Sequence, residues 1–268
     1  MKIKQEGERW VAKKSNKAKR WEDITDIMQW HGEFVSVMGK AGLTNFHAYL
    51  GKHGKGYSQL YGVTSVLNYW GEKEGLLQWA VNQAVDFIEN GGDTKTARKA
   101  HKMSLKKAGD AGTDTHQLVE DYILALMSND APDNEMTEQV KLFANWATDN
   151  KVKFLASEMP VFSKALWVAG TMDFLCEIDG KLYIGDVKTS NYINPKHFYQ
   201  CGAYAGMYEE MTDSSESPVE GIVIVHLPRD GGITIHKRDD VDKYRKAFEN
   251  ILYTLKIDKD ESYQLGFR

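Results

Sequence analysis

The stretch Gly170-Thr-Met-Asp-Phe-Leu-Cys-Glu-Ile-Asp-Gly-Lys-Leu-Tyr-Ile-Gly-Asp-Val-Lys188 decides the fold. Two runs rich in Val, Ile, Leu, Phe and Tyr flank Asp179-Gly180, the two-residue signature of a hairpin turn. Counting outward from that turn sets Ile178 opposite Lys181, Leu175 opposite Ile184 and Asp173 opposite Asp186. Lys188 shares the parity of Asp186 and projects from the same face one step further on. Met172, Phe174, Cys176, Tyr183 and Val187 are expected on one face, with Leu175, Leu182 and Ile184 on the other. A strand pair apolar on both faces is a central one, covered on both sides.

Carboxylates directly across a strand pair have Cβ atoms about 4.5–5.5 Å apart, and like charges there destabilise the pair. A solvated hairpin with ordinary surface charges is the simpler alternative, but the two apolar faces argue against it. Charges in a buried hairpin need a compensating partner. A divalent cation with oxygen ligands supplies one, and Lys188 a second.

Working outward, Val152–Phe162 reads as a preceding strand. A turn near Lys164-Ala165 would set Glu158 opposite Thr171, on the face of the carboxylate pair. After Lys188, Pro195 opens a helix on which Gln200, Tyr204 and Tyr208 share one face at i, i+4 and i+8. Upstream, Gly109-Asp-Ala-Gly-Thr-Asp-Thr-His116 opens a helix running to about Met127, with His116 and Glu120 on one face. By itself a histidine early in a helix is more often structural than a ligand.

Taken together, Gly170-x-x-Asp173, Asp186-x-Lys188 and the helix with Gln200-x-x-x-Tyr204 resemble the PD-(D/E)XK nuclease superfamily. The likeness is to its RecB-like exonuclease branch, of the phage and mitochondrial genome maintenance type, and it spans roughly residues 57 to 258. Met172 stands where the superfamily's name has Pro. Gly112-x-x-x-His116-x-x-x-Glu120 resembles that branch's histidine block, and Glu158 its upstream glutamate. The resemblance implies that Asp173, Asp186, Lys188, Gln200 and Tyr204 are catalytic. It also implies that His116, Asp173, Asp186 and the backbone carbonyl of Val187 hold Mg²⁺ or Mn²⁺, with Glu120 and Glu158 as secondary site residues. The implied activity is metal-dependent hydrolysis of DNA phosphodiester bonds by an exonuclease in recombination, repair or phage DNA processing. Two alternatives stay open: a catalytically silent DNA-binding protein on the same fold, and a metal-dependent phosphatase acting on small esters.

The remaining sequence bounds these readings. A chain of 268 residues with net charge −4 is not a wholesale basic coat for nucleic acid, so DNA contact must use local patches. Two such patches occur. Lys13 and Lys14 lie in a basic N-terminal run with Trp10 and Trp21, and Lys95, Arg98, Lys99, Lys102 and Lys106 lie on an expected helix over Thr94–Lys107. Each also reads as a solvated charged face. Cys176 and Cys201 sit in apolar patterns, as core thiols of a reducing compartment. Two cysteines are too few for an iron–sulfur cluster held by four. No apolar run reaches transmembrane length, and Glu6, Glu8, Glu22 and Asp23 argue against a transit peptide, so cytoplasm is the expected location. DNA, single- or double-stranded, is the expected partner, beside a recombination protein or a second copy of the chain.

The order of periodicities implies an α/β fold, a central mixed sheet flanked by helices on both faces, with a helical N-terminal part; the resemblance implies that this is a restriction-endonuclease-like core. Residues 1–56 read as a basic N-terminal extension or subdomain and 57–268 as the nuclease-like domain. Within the former, a short helix is expected near Trp21–Met28 and small strands at Phe34–Met38 and Phe46–Leu50. Tyr61-Gly-Val-Thr-Ser-Val-Leu67 resembles the entry block of RecB-like exonucleases, which implies a helix capped by a short Ser/Thr-containing segment. Further strands are expected at Val219–Leu227 and Gly232–Lys237, and a closing helix at Val241–Leu255.

Overall fold

The computed structural model describes residues 2–6, 9–13, 22–23, 28–41, 44–54, 56–71, 74–130, 136–213 and 218–264; side-chain surroundings are described within 31–37, 47–54, 56–71, 77–104, 115–130, 136–213 and 218–264. Three short antiparallel strands come first: β1 (Lys2–Glu6), β2 (Arg9–Lys13) and β3 (Glu22–Asp23). An antiparallel meander follows, formed by β4 (Met28–His31), β5 (Phe34–Ala41), β6 (Thr44–His53) and β7 (Gly56–Gln59). The helix expected near Trp21–Met28 is therefore replaced at its described positions by strand. Met28 pairs with Val37, and burial of Val35 and Val37 in the meander outweighs the weak local helical spacing.

The helical part expected ahead of the central sheet begins after β8 (Tyr61–Gly62). It comprises α1 (Val63–Tyr69), α2 (Glu74–Glu89), α3 (Thr94–Ala97), α4 (Ala100–Ser128) and α5 (Glu138–Asp149). Gly62 caps α1 with no side-chain hydrogen bond, so the expected Ser/Thr cap is not made; Thr64 and Ser65 lie inside the helix. A second correction concerns α4. Its 29 residues run unbroken through Gly109 and Gly112, where two helices were expected. Mid-helix glycines cost only about 1 kcal/mol each, and the buried Val119, Tyr122 and Ile123 further along anchor the helix to α5 and the sheet.

The main sheet has the order β13-β12-β11-β10-β8, with β9 on the other edge of β10. Its strands are β9 (Lys153–Ser163), β10 (Val168–Ile178), β11 (Lys181–Lys188), β12 (Gly221–His226) and β13 (Thr234–Arg238), interrupted by α6 (Pro195–Thr212) and closed by α7 (Val241–Gln264). Strands β9, β10 and β11 run antiparallel. α6 carries the chain over the sheet so that β12 adds parallel to β11, a crossover that two parallel strands require. The result is the mixed sheet with helices on both faces that the periodicities imply.

The Asp179-Gly180 turn has φ of 53° and 77° at its two residues, the type I′ geometry that matches strand twist. It sets Ile178 opposite Lys181 and Phe174 opposite Gly185, as counting from the turn requires. Ile184, Leu175, Ile222 and Ile224 pack with Phe198 and Cys201 of α6 and with Phe248 and Leu252 of α7. On the opposite face Phe174, Cys176, Tyr183 and Val187 pack with Ile123 of α4 and Phe143 of α5. Each such buried side chain contributes about 1.5–3 kcal/mol. Met172 departs from its expected face and joins the α6 side, so β10 changes its facing between Met172 and Phe174, across Asp173. Both cysteines are buried free thiols. Among the described residues no helix is long and apolar enough to cross a membrane.

Candidate active site

The irregularity at Asp173 is where the charged groups gather. Strand β9 occupies one edge of β10 throughout. On the other edge β8 pairs with Val168 and Ala169, and β11 begins its pairing at Phe174. Gly170–Asp173 thus face a gap between β8 and β11. Asp173 sits where it was expected, opposite Asp186, but as the first residue past the ladder. Its Oδ2 accepts the Val187 amide at 2.8 Å, and His116 Nδ1 lies 3.5 Å from the same oxygen.

Glu158 stands opposite Asp173, not Thr171. The connection from β9 is a four-residue turn, Lys164–Trp167, with Trp167 at φ 57°, where a two-residue turn was expected. Glu210 of α6 holds that turn by accepting the Lys164 and Ala165 amides at 2.8 and 3.1 Å. A slip of two residues preserves side-chain parity, so Glu158 keeps its expected face and comes closer to Asp173. Its φ of 45° is a conformation that non-glycine residues rarely adopt. His116, Glu120, Glu158 and Asp173 line one small cavity of about 10 Å³.

Asp186 is 0% exposed, and neither of its carboxylate oxygens accepts a hydrogen bond. The Lys188 ammonium lies 2.5 Å from Oδ2, a close ion pair without hydrogen-bond direction, and 3.4 Å from the Val187 carbonyl. Burial pushes the Asp186 carboxyl up to about 7, against the opposing pull of Lys188. Burial, with the charges of Asp173 and Glu120, likewise pushes Glu158 up to about 7. Asp173 is half-buried and partly desolvated, yet His116, Lys188 and the Val187 amide hold it below the usual carboxylate range. Lys188 is desolvated, but Asp186 and Asp173 outweigh that and keep it charged.

Gln200 donates to the Tyr204 hydroxyl at 2.8 Å, and both face the gap beside Gly170. Any Cβ at residue 170 would overlap the Tyr204 ring, which explains a glycine there. Gly170→Ala should displace Tyr204 and cost about 1–3 kcal/mol, as overpacking does. Thermal melts check the loss.

Asn194 and His197 form the capping box that starts α6: Asn194 accepts the Lys196 amide at 2.9 Å, and His197 Nδ1 faces the Asn194 amide at 3.3 Å. Burial, with Lys188 and His226 nearby, pushes His197 down to about 4, so the folded chain holds it neutral. Protonation favours the unfolded chain, whose histidine titrates near 6.5. The His197 contribution is therefore complete above that pH and is lost as pH falls towards 4. Melts of wild type and His197→Gln should converge over that window; parallel curves would refute the coupling.

The basic residues Lys95, Arg98, Lys99 and Lys102 are exposed, on α3 and the start of α4. Lys102 lies 14 residues from His116 on one helix, roughly 21 Å along its axis. Lys14 and the side chains of Lys13 and Lys106 lie outside the described residues. Tyr49 of β6 was not foreseen at the site. Its hydroxyl bonds the Thr171 hydroxyl at 2.8 Å across 122 residues of sequence, and no local pattern announces such a contact.

No family model matches the sequence, and no curated protein matches it. Solved structures similar to it include SSO0001, at 14% identity and TM-score 0.28, over 43% of this chain and 57% of that one. Another is an alkaline exonuclease, LHK-Exo, from Laribacter hongkongensis, at 12% identity and TM-score 0.27, over 56% of this chain and 86% of that one. The chain thus spans little more than half the length of SSO0001. Likenesses this slight leave the site to be argued from its own geometry.

Among the described residues no three His, Cys, Asp or Glu donors close into a metal cage. Lys188 occupies the side of Asp186, while His116 and the Val187 amide engage Asp173. The donors still suit a small hard cation: carboxylate oxygens, a carbonyl and an imidazole, with two buried Asp186 oxygens that accept no hydrogen bond.

Proposed function

We propose that the chain is a Mg²⁺- or Mn²⁺-dependent deoxyribonuclease acting as an exonuclease. The observation that carries this reading is the fully buried Asp186, without a hydrogen bond, set between Lys188 and Asp173. A structural carboxylate at zero exposure is normally satisfied by several donors; among the described residues Asp186 has the Lys188 ammonium at Oδ2 and no hydrogen-bond partner at Oδ1, which leaves that oxygen for a cation. Asp186, Asp173, His116 and the Val187 carbonyl would hold the ion. Bound there, it would acidify a water and offset charge on the phosphate.

The chain's own groups do the rest. Lys188, beside Asp186, would orient the phosphate and stabilise the charge that develops on it. Gln200, tied to Tyr204, fixes the floor of the gap against which the strand lies. His116 and the Val187 amide hold Asp173 in its ionised form. Glu158 and Glu120 add negative potential on the helix α4 side and favour cation uptake.

End-labelled single- and double-stranded DNA, incubated with Mg²⁺, with Mn²⁺ and with EDTA, tests the reading. Label should be lost only with metal, and the product ladder gives polarity. DNA affinity should fall steeply with salt, as contact with phosphates by lysine and arginine requires. Binding without cleavage under every condition would replace the nuclease with a DNA-binding protein on the same fold; cleavage of small phosphate esters without DNA affinity would indicate a phosphatase.

A further inference from the structure

The gap between β8 and β11 opens on two grooves of different chemistry. One, of about 670 Å³, has Lys188, Lys196, His197 and Arg229 in its lining. The other, of about 350 Å³, has no lysine or arginine among the described residues that line it; it is bounded by His47, Tyr49 and Gln59 of the N-terminal meander and by Ser65 of α1. Thr64 and Gln200 belong to both, so they form the partition between a cationic side and a neutral one.

The neutral cavity is built rather than incidental. The His47 and Tyr49 rings lie 4.5 Å apart, centre to centre. His47 is exposed, yet its Nε2 is held 2.6 Å from the hydroxyl of Ser36, which is 5% exposed. Tyr49 is tied to Thr171, two residues from Asp173. Partial desolvation of the ring lowers the His47 pKa. Two flat rings, side-chain amides and hydroxyls, and no cation make a poor phosphate site. They suit a flat, neutral, hydrogen-bonding group.

We propose that this cavity takes one unstacked nucleobase next to the scissile phosphate. The cationic groove carries the sugar–phosphate backbone past Lys188. The inference rests on the nuclease reading and adds a substrate class: a single strand, or a frayed end, presenting one free base. A base paired in a duplex keeps its faces against its neighbours and cannot enter. The meander β4–β7 is then part of the substrate site, with His47 and Tyr49 as its stacking residues and Ser36 as the residue that positions His47.

Fluorescence anisotropy in EDTA tests this without cleavage. The probes are labelled dT15 and a labelled 15-mer of abasic tetrahydrofuran units, which has the same phosphates and no bases. Wild type should bind dT15 about tenfold or more tighter, since one base stacked on an aromatic ring is worth about 1–3 kcal/mol. His47→Ala should remove most of that preference with its thermal melt unchanged. Lys196→Gln should weaken both probes equally. Equal affinities in wild type, or a preference untouched in both His47→Ala and Gln59→Ala, would overturn the base pocket alone. Binding to neither probe would likewise overturn the base pocket, while metal-dependent loss of end label from DNA would keep the nuclease reading standing.

Discussion

Asp186→Asn is expected to abolish DNA cleavage, by about 10³-fold or more, while melting at or above the wild-type temperature. The loss follows from removing the charge that would hold the cation, which supplies several kcal/mol of transition-state stabilisation. Asparagine nearly matches aspartate in shape, so the pairing of residue 186 with Ile224 of β12 stays intact. Stability should not fall, because the native carboxylate is wholly buried and accepts no hydrogen bond. Removing such a group relieves a desolvation cost. Lys188, whose side chain is 17% exposed, can turn to water when its partner is lost. End-labelled DNA assays and thermal melts read the two effects separately. A variant that melts well below wild type would make Asp186 a structural residue and remove the basis for the site.

Lys188→Met should lose cleavage by about 10²–10⁴-fold, the usual range for a group acting on charge or protons in the transition state, and here stability should fall too. Methionine fills the space of the lysine stem but leaves Asp186 without its cation at zero exposure. Removing one member of a buried pair costs about 3–5 kcal/mol, whereas replacing both is often neutral. The double variant Asp186→Asn with Lys188→Met should therefore regain most of the lost stability and none of the activity. Chemical denaturation of the four proteins closes the cycle. Additive losses would mean that the 2.5 Å contact carries no coupling.

Much of this arrangement is legible in local chemistry. Asp179-Gly180 reads as a type I′ turn because both residues tolerate positive φ, and one turn then sets every cross-strand pair up to Phe174 and Gly185. Pro195 behind Asn194 marks the start of α6 for an equally local reason, a cap that takes up free backbone amides. The juxtaposition of Asp173, Asp186 and Lys188 follows from that turn by counting. Lys164-Ala165 offers no such signal. Its turn closes over four residues because Glu210, 46 positions away, accepts the Lys164 amide, and Glu158 moves two residues along as a result.

Longer-range contacts were settled further from the sequence. The facing of Met172, the unbroken course of α4 through its glycines and the strand at Met28–His31 in place of the expected helix depend on which layers cover which faces. Local propensity is too weak to set any of them. Tyr49 and His47 reach the gap beside Asp173 only because the meander packs Phe34 and Tyr49 against Phe162 of β9. Hairpin register, the start of α6 and the charged triplet are properties of neighbouring residues, so the sequence by itself determined them. What surrounds the triplet was decided by tertiary structure, since the hydrophobic burial that brings in His116, Glu158 and Tyr49 is non-directional and acts on the whole chain at once.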